Sequence, residues 1–471
     1  MVVRKWTLFV MLLVGVACRP GQALAEVKLH GLFTEGMVLQ QGTKVPVWGT
    51  AADDEKVTVK IQDQEVSTTA KNGKWRVDLN KLKPGGPYEM TVKGTNTIQF
   101  KDVLVGEVWV CSGQSNMEWP MTVSRNPKED IAKSKNPNIR LFFTPKTPNN
   151  TPQTELGKWK GPTTWLPCGP DTVPNFSAVG YFFGRDLQKA REVPVGLIQS
   201  AWGGTPAEAW TSKEVLENTP GLKGLKGSNL YNGMVAPLMP FAIKGVIWYQ
   251  GESNAGQAHQ YRTLFPAMIK NWRDDWKQGD FAFLFVQLAP WDVPKEPTWA
   301  ELREAQLLTA QKVRNTAMAV ITDVGDPKDI HPKDKDPVGA RLALCAQAIA
   351  YGEKITYSGP EYSGMKIEKN KAILSFKHVG KGLLAKGGPL TGFTIAGADK
   401  KFVKADAVIE EDKVIVSSPM VEAPVAVRFG WHNHPIVNLW NRDGLPATPF
   451  RTDDFPMITG PKQGAGGSGA R

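Results

Sequence analysis

Residues 108–120 read V-W-V-C-S-G-Q-S-N-M-E-W-P. A run of β-forming apolar residues, Val108 to Cys111, stops abruptly at small and polar side chains. Uniform apolarity over such a run is the mark of a strand covered on both faces, as in a parallel sheet between helices. The residues that follow such a strand stand at the carboxyl edge of the sheet, where α/β folds bind their ligands. Ser115 is therefore a candidate nucleophile. A serine after a strand is more often an ordinary turn residue, so the assignment depends on partners supplied from elsewhere in the chain.

The same texture recurs outward from this point. Apolar runs at Pro194–Gln199, Ile243–Tyr249, Phe281–Leu288 and Met318–Thr322 alternate with helical segments such as Ala178–Arg191 and Trp299–Val313. This alternation predicts an α/β domain with a central parallel sheet over residues 103–352. Upstream, residues 26–102 alternate apolar with polar in short runs (K-V-T-V-K-I, K-W-R-V-D-L) between turn signals such as Asn72-Gly73, which predicts a small antiparallel sandwich. Strand patterning returns over 353–457 as a second β-rich domain, and residues 458–471 form a Gly-rich tail expected to be disordered. The Pro- and Asn-rich stretch at 120–175 reads as a long surface insertion.

The chain has 471 residues, 41% hydrophobic and 22% charged, which is globular composition with length for more than one domain. Its start combines basic Arg4 and Lys5, an apolar segment from Trp6 to Ala17 and a small-x-small site at Ala23-Leu24-Ala25. That pattern predicts a cleaved signal peptide over 1–25 and a secreted or periplasmic location. No later segment is apolar for long enough to span a bilayer. The formal charge of +11 is spread over scattered lysines without a dense basic block, so no nucleic-acid partner is expected. Cys111, Cys168 and Cys345 remain once Cys18 is removed, which allows one disulfide at most.

An alcohol nucleophile needs a base. Of six histidines, His331 directly follows the last apolar run, in T-D-V-G-D-P-K-D-I-H-P, and Asp323, Asp326 and Asp329 precede it. A carboxylate beside an imidazole fixes its tautomer and stabilises its charged form. Two further strand ends carry W-Y-Q-G-E-S-N-A-G, with Gln250, Glu252 and Asn254, and Q-S-A-W-G-G-T-P, with Gly203 and Gly204. Amide side chains and glycine N–H groups are what an oxyanion requires. Glu252 reads as a structural hydrogen-bonding group. His432 and His434 suggest a metal pair, yet no third ligand is apparent nearby. The G-x-S-x-G elbow of α/β-hydrolases is absent, with Met117 in place of its second glycine.

In this order, S-G-Q-S-N-M, W-Y-Q-G-E-S-N and G-D-P-K-D-I-H-P resemble the sialate O-acetylesterase family of the SGNH-hydrolase superfamily, as do S-A-W-G-G-T-P-A-E-A-W and N-L-W-N-R-D-G-L-P-A-T-P-F-R-T. The resemblance implies an SGNH, flavodoxin-like hydrolase domain flanked by N-terminal and C-terminal β-rich regions. It implies Ser115 as nucleophile and His331 as base. The oxyanion donors it implies are the Ser115 N–H, a glycine of the 203–204 pair (Gly204) and the Gln250 amide, with Gln114, Asn116 and Asn254 as further oxyanion or substrate-binding groups. The superfamily often places its acid three residues before the histidine. Lys328 stands there, so Asp329 is the first candidate and Asp326 and Asp323 follow. No metal or organic cofactor is implied. The expected substrate is an O-acetylated sugar or glycan. The rival readings are an acetylxylan or other polysaccharide esterase with the same site, and a non-catalytic carbohydrate-binding protein using some of the 16 tryptophans as sugar platforms.

Overall fold

The computed structural model describes residues 26–293 and 297–461; the expected signal peptide and residues 462–471 of the tail lie outside the described residues. The organising element is β1, Thr97–Gly113. Its first half alternates exposed and covered side chains and pairs antiparallel with Gly85–Lys93. From Val103 to Gly113 every residue is buried, and the strand becomes the centre of a parallel sheet. One continuous strand therefore crosses residue 102/103, where the change of sequence texture placed a domain boundary. The change is real, but it reflects a second face becoming covered rather than a break in the backbone.

The remaining strands of this sheet are β2 (Asn136–Phe143), β3 (Leu166–Cys168), β4 (Val195–Ala201), β5 (Gly245–Tyr249), β6 (Ala282–Val286) and β7 (Thr316–Ala319). Across the sheet they run β3-β2-β4-β1-β5-β6-β7, all parallel except β3. Without β2 and β3 the chain order across the sheet is 2-1-3-4-5, the flavodoxin-like arrangement. Strand β2 lies inside the stretch read as a surface insertion. Its sequence N-P-N-I-R-L-F-F begins with residues that seldom open strands, and Arg140 interrupts the apolar run. The structure accommodates that arginine by pairing it with Asp102 through two hydrogen bonds of 2.6 and 3.0 Å.

Five helices matter for the site: α1 (Ser115–Glu118), α2 (Ala178–Arg191), α3 (Ala258–Trp276), α4 (Thr298–Lys312) and α5 (Asp336–Ile349). Helix α2 starts where Ser177 Oγ accepts the Gly180 N–H, a side-chain cap. Because side chains alternate along a strand, Trp109 and Cys111 pack in one core with Phe183 of α2 and Leu342 of α5. Val108 and Val110 fall in the opposite core with Phe265 of α3 and Leu302 of α4. All three cysteines are free and buried, so no disulfide forms among them. No helix of the described residues is long and apolar enough to cross a membrane.

The C-terminal region contains two four-stranded antiparallel sheets around a core that includes Leu374, Val414, Phe393, Phe429 and Phe450. It docks on α4. Buried Arg303 donates to His432 O at 2.8 Å and Asn433 O at 2.7 Å, and Asn433 Oδ1 accepts the Trp299 N–H at 2.9 Å. The His432–His434 segment thus locks the two regions together, and among the described residues no three His, Cys, Asp or Glu side chains converge as a metal site. Ile458 and Thr459, read as the start of the tail, are tied down by N–H donation to the Glu301 carboxylate at 2.7 and 3.0 Å.

Candidate active site

Strand β1 ends at Gly113, whose φ of +135° favours glycine. A Cβ there would lie 2.2 Å from Tyr249 O. Only the missing side chain lets the ends of β1 and β5 meet, with the Gln114 N–H on Tyr249 O at 3.0 Å. The chain then turns at once into α1, so Ser115 occupies the first helical position over the carboxyl edge of the sheet. The N–H groups of a first helical turn have no intrahelical partner.

Ser115 Oγ lies 2.9 Å from His331 Nε2. His331 comes from the loop between β7 and α5, 216 residues later in the chain. Asp329 Oδ1 lies 3.5 Å from the other ring nitrogen, Nδ1, and also accepts the His331 backbone N–H at 2.9 Å. That local hydrogen bond holds the carboxylate beside the imidazole. Separations of this size are common before substrate binds and tighten in the reacting complex. The other two aspartates are committed elsewhere. Asp323 pairs with Arg341 through hydrogen bonds of 2.6 and 2.8 Å, and Asp326 Oδ1 closes a turn on the Lys328 N–H at 2.8 Å.

The His331 imidazole is held below its ordinary pKa, chiefly by desolvation and then by the nearby positive charge of Lys335, with Asp329 opposing both. A lowered value keeps the ring neutral and able to accept a proton. The Trp119 indole stacks on the ring, with centroids 4.7 Å apart and planes 16° from parallel.

The structure corrects the expected oxyanion and substrate contacts. Gln250 is fully buried, and its amide is already used: Nε2 donates to Asn254 Oδ1 at 2.7 Å and to Thr205 O at 3.3 Å, while Oε1 accepts from Tyr261 at 2.9 Å. It has no donor left for an oxyanion. Asn254 is spent on Gln250, the Ala207 N–H and Glu208. Gln114 Oε1 accepts the Ser253 N–H at 3.2 Å. Asn116 is fully buried between Glu252, Ile330 O and Lys335. Gln250, Asn254 and Asn116 tie the converging loops to one another, and Gln114 grips the Ser253 loop through Oε1 alone. The physical reason is that converging loops at a sheet edge bury many backbone polar groups, each of which must find a partner.

Backbone donors remain. The Gly203 N–H is held by Glu118 Oε2 at 2.7 Å, and a Cβ on Gly203 would come within 3.2 Å of Ser115 Cβ. Gly204, with φ +72°, has open space at the Cβ position. Ser115 opens α1, where an N–H has no intrahelical partner, and Gly204 directly follows Gly203.

Glu118 also lines a cleft of about 550 Å³ beside the site, walled by Lys146, Trp159, Asp171 and Asn175. Four of these five residues come from the 120–175 stretch. Lys146 is ion-paired with Glu118, and its ammonium lies 5.7 Å from the Trp202 ring centroid. Sequence reasoning missed Trp119, Lys335 and Glu118. Trp119 and Glu118 stand in the opening motif itself, and Lys335 lies four residues after His331, but nothing in residue type alone separates them from surface residues.

Residues 105–344 match the family model described as carbohydrate esterase, sialic acid-specific acetylesterase. Sialate O-acetylesterases of Homo sapiens and Pongo abelii are each 33% identical over 392 residues, which span 73% of this chain and 75% of theirs. A solved carbohydrate acetylesterase from Xanthomonas citri is 41% identical and superposes with a TM-score of 0.86, covering 91% of this chain and 100% of that one.

Proposed function

Because this chain belongs to the sialic acid-specific acetylesterase family of carbohydrate esterases, we propose that it removes O-acetyl groups from sialic acids through an acetyl-Ser115 intermediate. That it is a carbohydrate acetylesterase, and so a carboxylic-ester hydrolase, follows from its family. The acetyl-Ser115 mechanism rests on one observation, the 2.9 Å approach of Ser115 Oγ to His331 Nε2, and the sialic acid substrate on the family alone. In this mechanism His331 takes the serine proton as Oγ attacks the acetyl carbonyl. The oxyanion is met by the Ser115 and Gly204 N–H groups. Collapse of the tetrahedral species breaks the bond to the sugar oxygen, and His331 returns the proton to it. Water, activated by the same imidazole, then releases acetate. Asp329 holds the tautomer and stabilises the imidazolium.

One observation favours a second substrate reading, an acetylated neutral polysaccharide. The cleft beside Ser115 carries Glu118 and Asp171 against a single cation, Lys146, which Glu118 already neutralises. Such a lining suits sugar hydroxyls better than a sugar carboxylate, and Trp159 offers an apolar platform. Acetate release from O-acetylated sialosides and from acetylated xylan, measured side by side, decides between the two. Ser115→Ala is expected to lower turnover on either by about 10³-fold or more, because nucleophile and base act as a unit. A variant that keeps a tenth of the activity overturns the assignment of Ser115. Export is part of the proposal: the mature protein is expected to begin at Glu26, and N-terminal sequencing of material recovered outside the cytoplasm checks it.

A further inference from the structure

Beneath the Ser115 turn runs a chain of polar groups that acyl transfer does not use. Lys335, the residue before α5, is 1% exposed. Its Nζ donates to Asn116 Oδ1 at 2.5 Å. Asn116 Nδ2 donates to Glu252 Oε1 at 2.6 Å and to Ile330 O at 3.0 Å. Glu252 Oε2 is buried with no hydrogen-bond partner among the described residues. The residue next to the nucleophile therefore bridges a buried ammonium and a buried carboxylate. Ile330, which it also grips, is the residue next to His331.

This arrangement has a direction. The amide of Asn116 can satisfy both charges in one orientation only, with oxygen toward the ammonium and nitrogen toward the carboxylate. A fixed Asn116 fixes the first turn of α1 and, through Ile330, the approach of the His331 loop. The ammonium also lies 5.6 Å from the Trp119 ring centroid and 5.4 Å from that of Tyr249. Aromatic faces stabilise a cation that burial has stripped of water. Trp119 is the ring that stacks on His331.

We propose that Lys335 is a positioning residue of the esterase: held by Asn116, which Glu252 holds in turn, it sets the Ser115 turn and places a positive charge beside the Trp119 ring that stacks on His331. The proposal rests on the reading of Ser115 and His331 as nucleophile and base. The charged and titratable groups around Lys335 are Glu252 and Tyr249 from the β5 end and Asp329 and His331 from its own loop. Its neighbours Asp334 and Asp336 are ion-paired with Arg125 and Arg185, each at 2.6 Å. Asp329 favours the imidazolium and Lys335 opposes it. Burial drives Lys335 itself down to about 7 and Glu252 up, so the ammonium is charged across the acid range in which His331 titrates.

The test is the pH dependence of kcat/KM on p-nitrophenyl acetate for Lys335→Met, Lys335→Gln and Lys335→Arg, with thermal melts to establish folding. Loss of the charge raises the His331 pKa, so the acid limb of the Met and Gln variants is expected to move upward by about half a pH unit or more, as removal of a nearby like charge requires. Lys335→Arg keeps the charge and is expected to leave the limb in place, whatever its rate. Folded Met or Gln variants with lower rates but an unmoved limb overturn the proposal, since a purely structural role gives that result. A second measurement compares the titration of His331 in Ser115→Ala with that in Ser115→Ala carrying Lys335→Met. The imidazole is expected to titrate lower with the lysine present, and equal values overturn the charge effect. If Ser115→Ala itself retains turnover, the reading of the site fails instead, and the two failures are told apart.

Discussion

The Trp119 indole and the His331 imidazole lie face to face, 4.7 Å apart and 16° from parallel. The indole Nε1 donates to Val123 O at 3.1 Å, so the ring is anchored at its far end. A stacked wall of this kind limits the imidazole to the plane in which Nε2 reaches Ser115. Aromatic pairs contribute about 0.5–1.5 kcal/mol beyond area burial. Trp119→Ala is therefore expected to lower kcat by about 3- to 10-fold, and Trp119→Phe to recover most of the loss. Steady-state kinetics on the two variants check it; equal activity in Trp119→Ala and wild type would remove the ring from the positioning argument.

The three aspartates before His331 separate by what they hold. Asp329→Asn is expected to lower turnover by about 10²- to 10⁴-fold through loss of tautomer control, with an unchanged melting temperature. Asp326→Asn keeps the acceptor for the Lys328 N–H and costs little in either measure. Asp323→Asn breaks the pair with Arg341, whose side chain is only 9% exposed. It is expected to destabilise by about 2 kcal/mol, less than a fully buried pair, while activity per folded molecule persists. Kinetics and melts on the three purified variants must sort in this way; Asp326→Asn as the least active would move the acid.

Gly203 and Ser115 are in near contact, so added bulk at 203 tests the site without altering Ser115, His331 or Asp329. A Cβ 3.2 Å from Ser115 Cβ forces one of the two to shift. Crowding of this order costs about 1–3 kcal/mol, and here it falls on the nucleophile. Gly203→Ala is expected to lower kcat about tenfold or more and to lower the melting temperature modestly. Full activity in this variant would mean that the Ser115 turn yields freely.

Buried His30 is one source of pH-dependent stability that lies away from the site. Its Nδ1 accepts the Leu32 N–H at 3.2 Å, its ring packs on Trp48, and desolvation holds its pKa down to about 4. The unfolded chain then binds more protons than the native one between pH 4 and 6.5. The contribution of His30 is therefore fully present above about 6.5 and is lost as pH falls toward 4, by at most about 3 kcal/mol. Glu155 lies 3.7 Å from Nε2 but is 57% exposed, too well solvated to offset this. In His30→Asn, whose side-chain oxygen can accept the same N–H, urea unfolding is expected to show a shallower fall between pH 7 and 5 than wild type. Parallel slopes for the two proteins would refute the attribution.

The sequence by itself determined the parts of this protein that depend on local pattern. Unbroken apolar runs marked the doubly covered strands, alternation marked the β-rich flanks, and polar residues at strand ends marked Ser115 and His331. Each follows from side-chain period and from the position of loops at a sheet edge. Strand β2 escaped because Arg140 interrupts its apolar run, and Asp102, 38 residues away, with the Pro137 and Gly36 carbonyls, makes that arginine tolerable. The tertiary structure alone decided which polar residues at the sheet edge are already partnered. Gln250, Asn254 and Asn116 have the right chemistry for a site, yet Tyr261, Glu208 and Lys335 consume it. An amide or carboxylate is a donor or acceptor by type, but whether it is free depends on partners brought in from distant segments. That is a property of packing at the sheet edge, where every buried polar group must be satisfied.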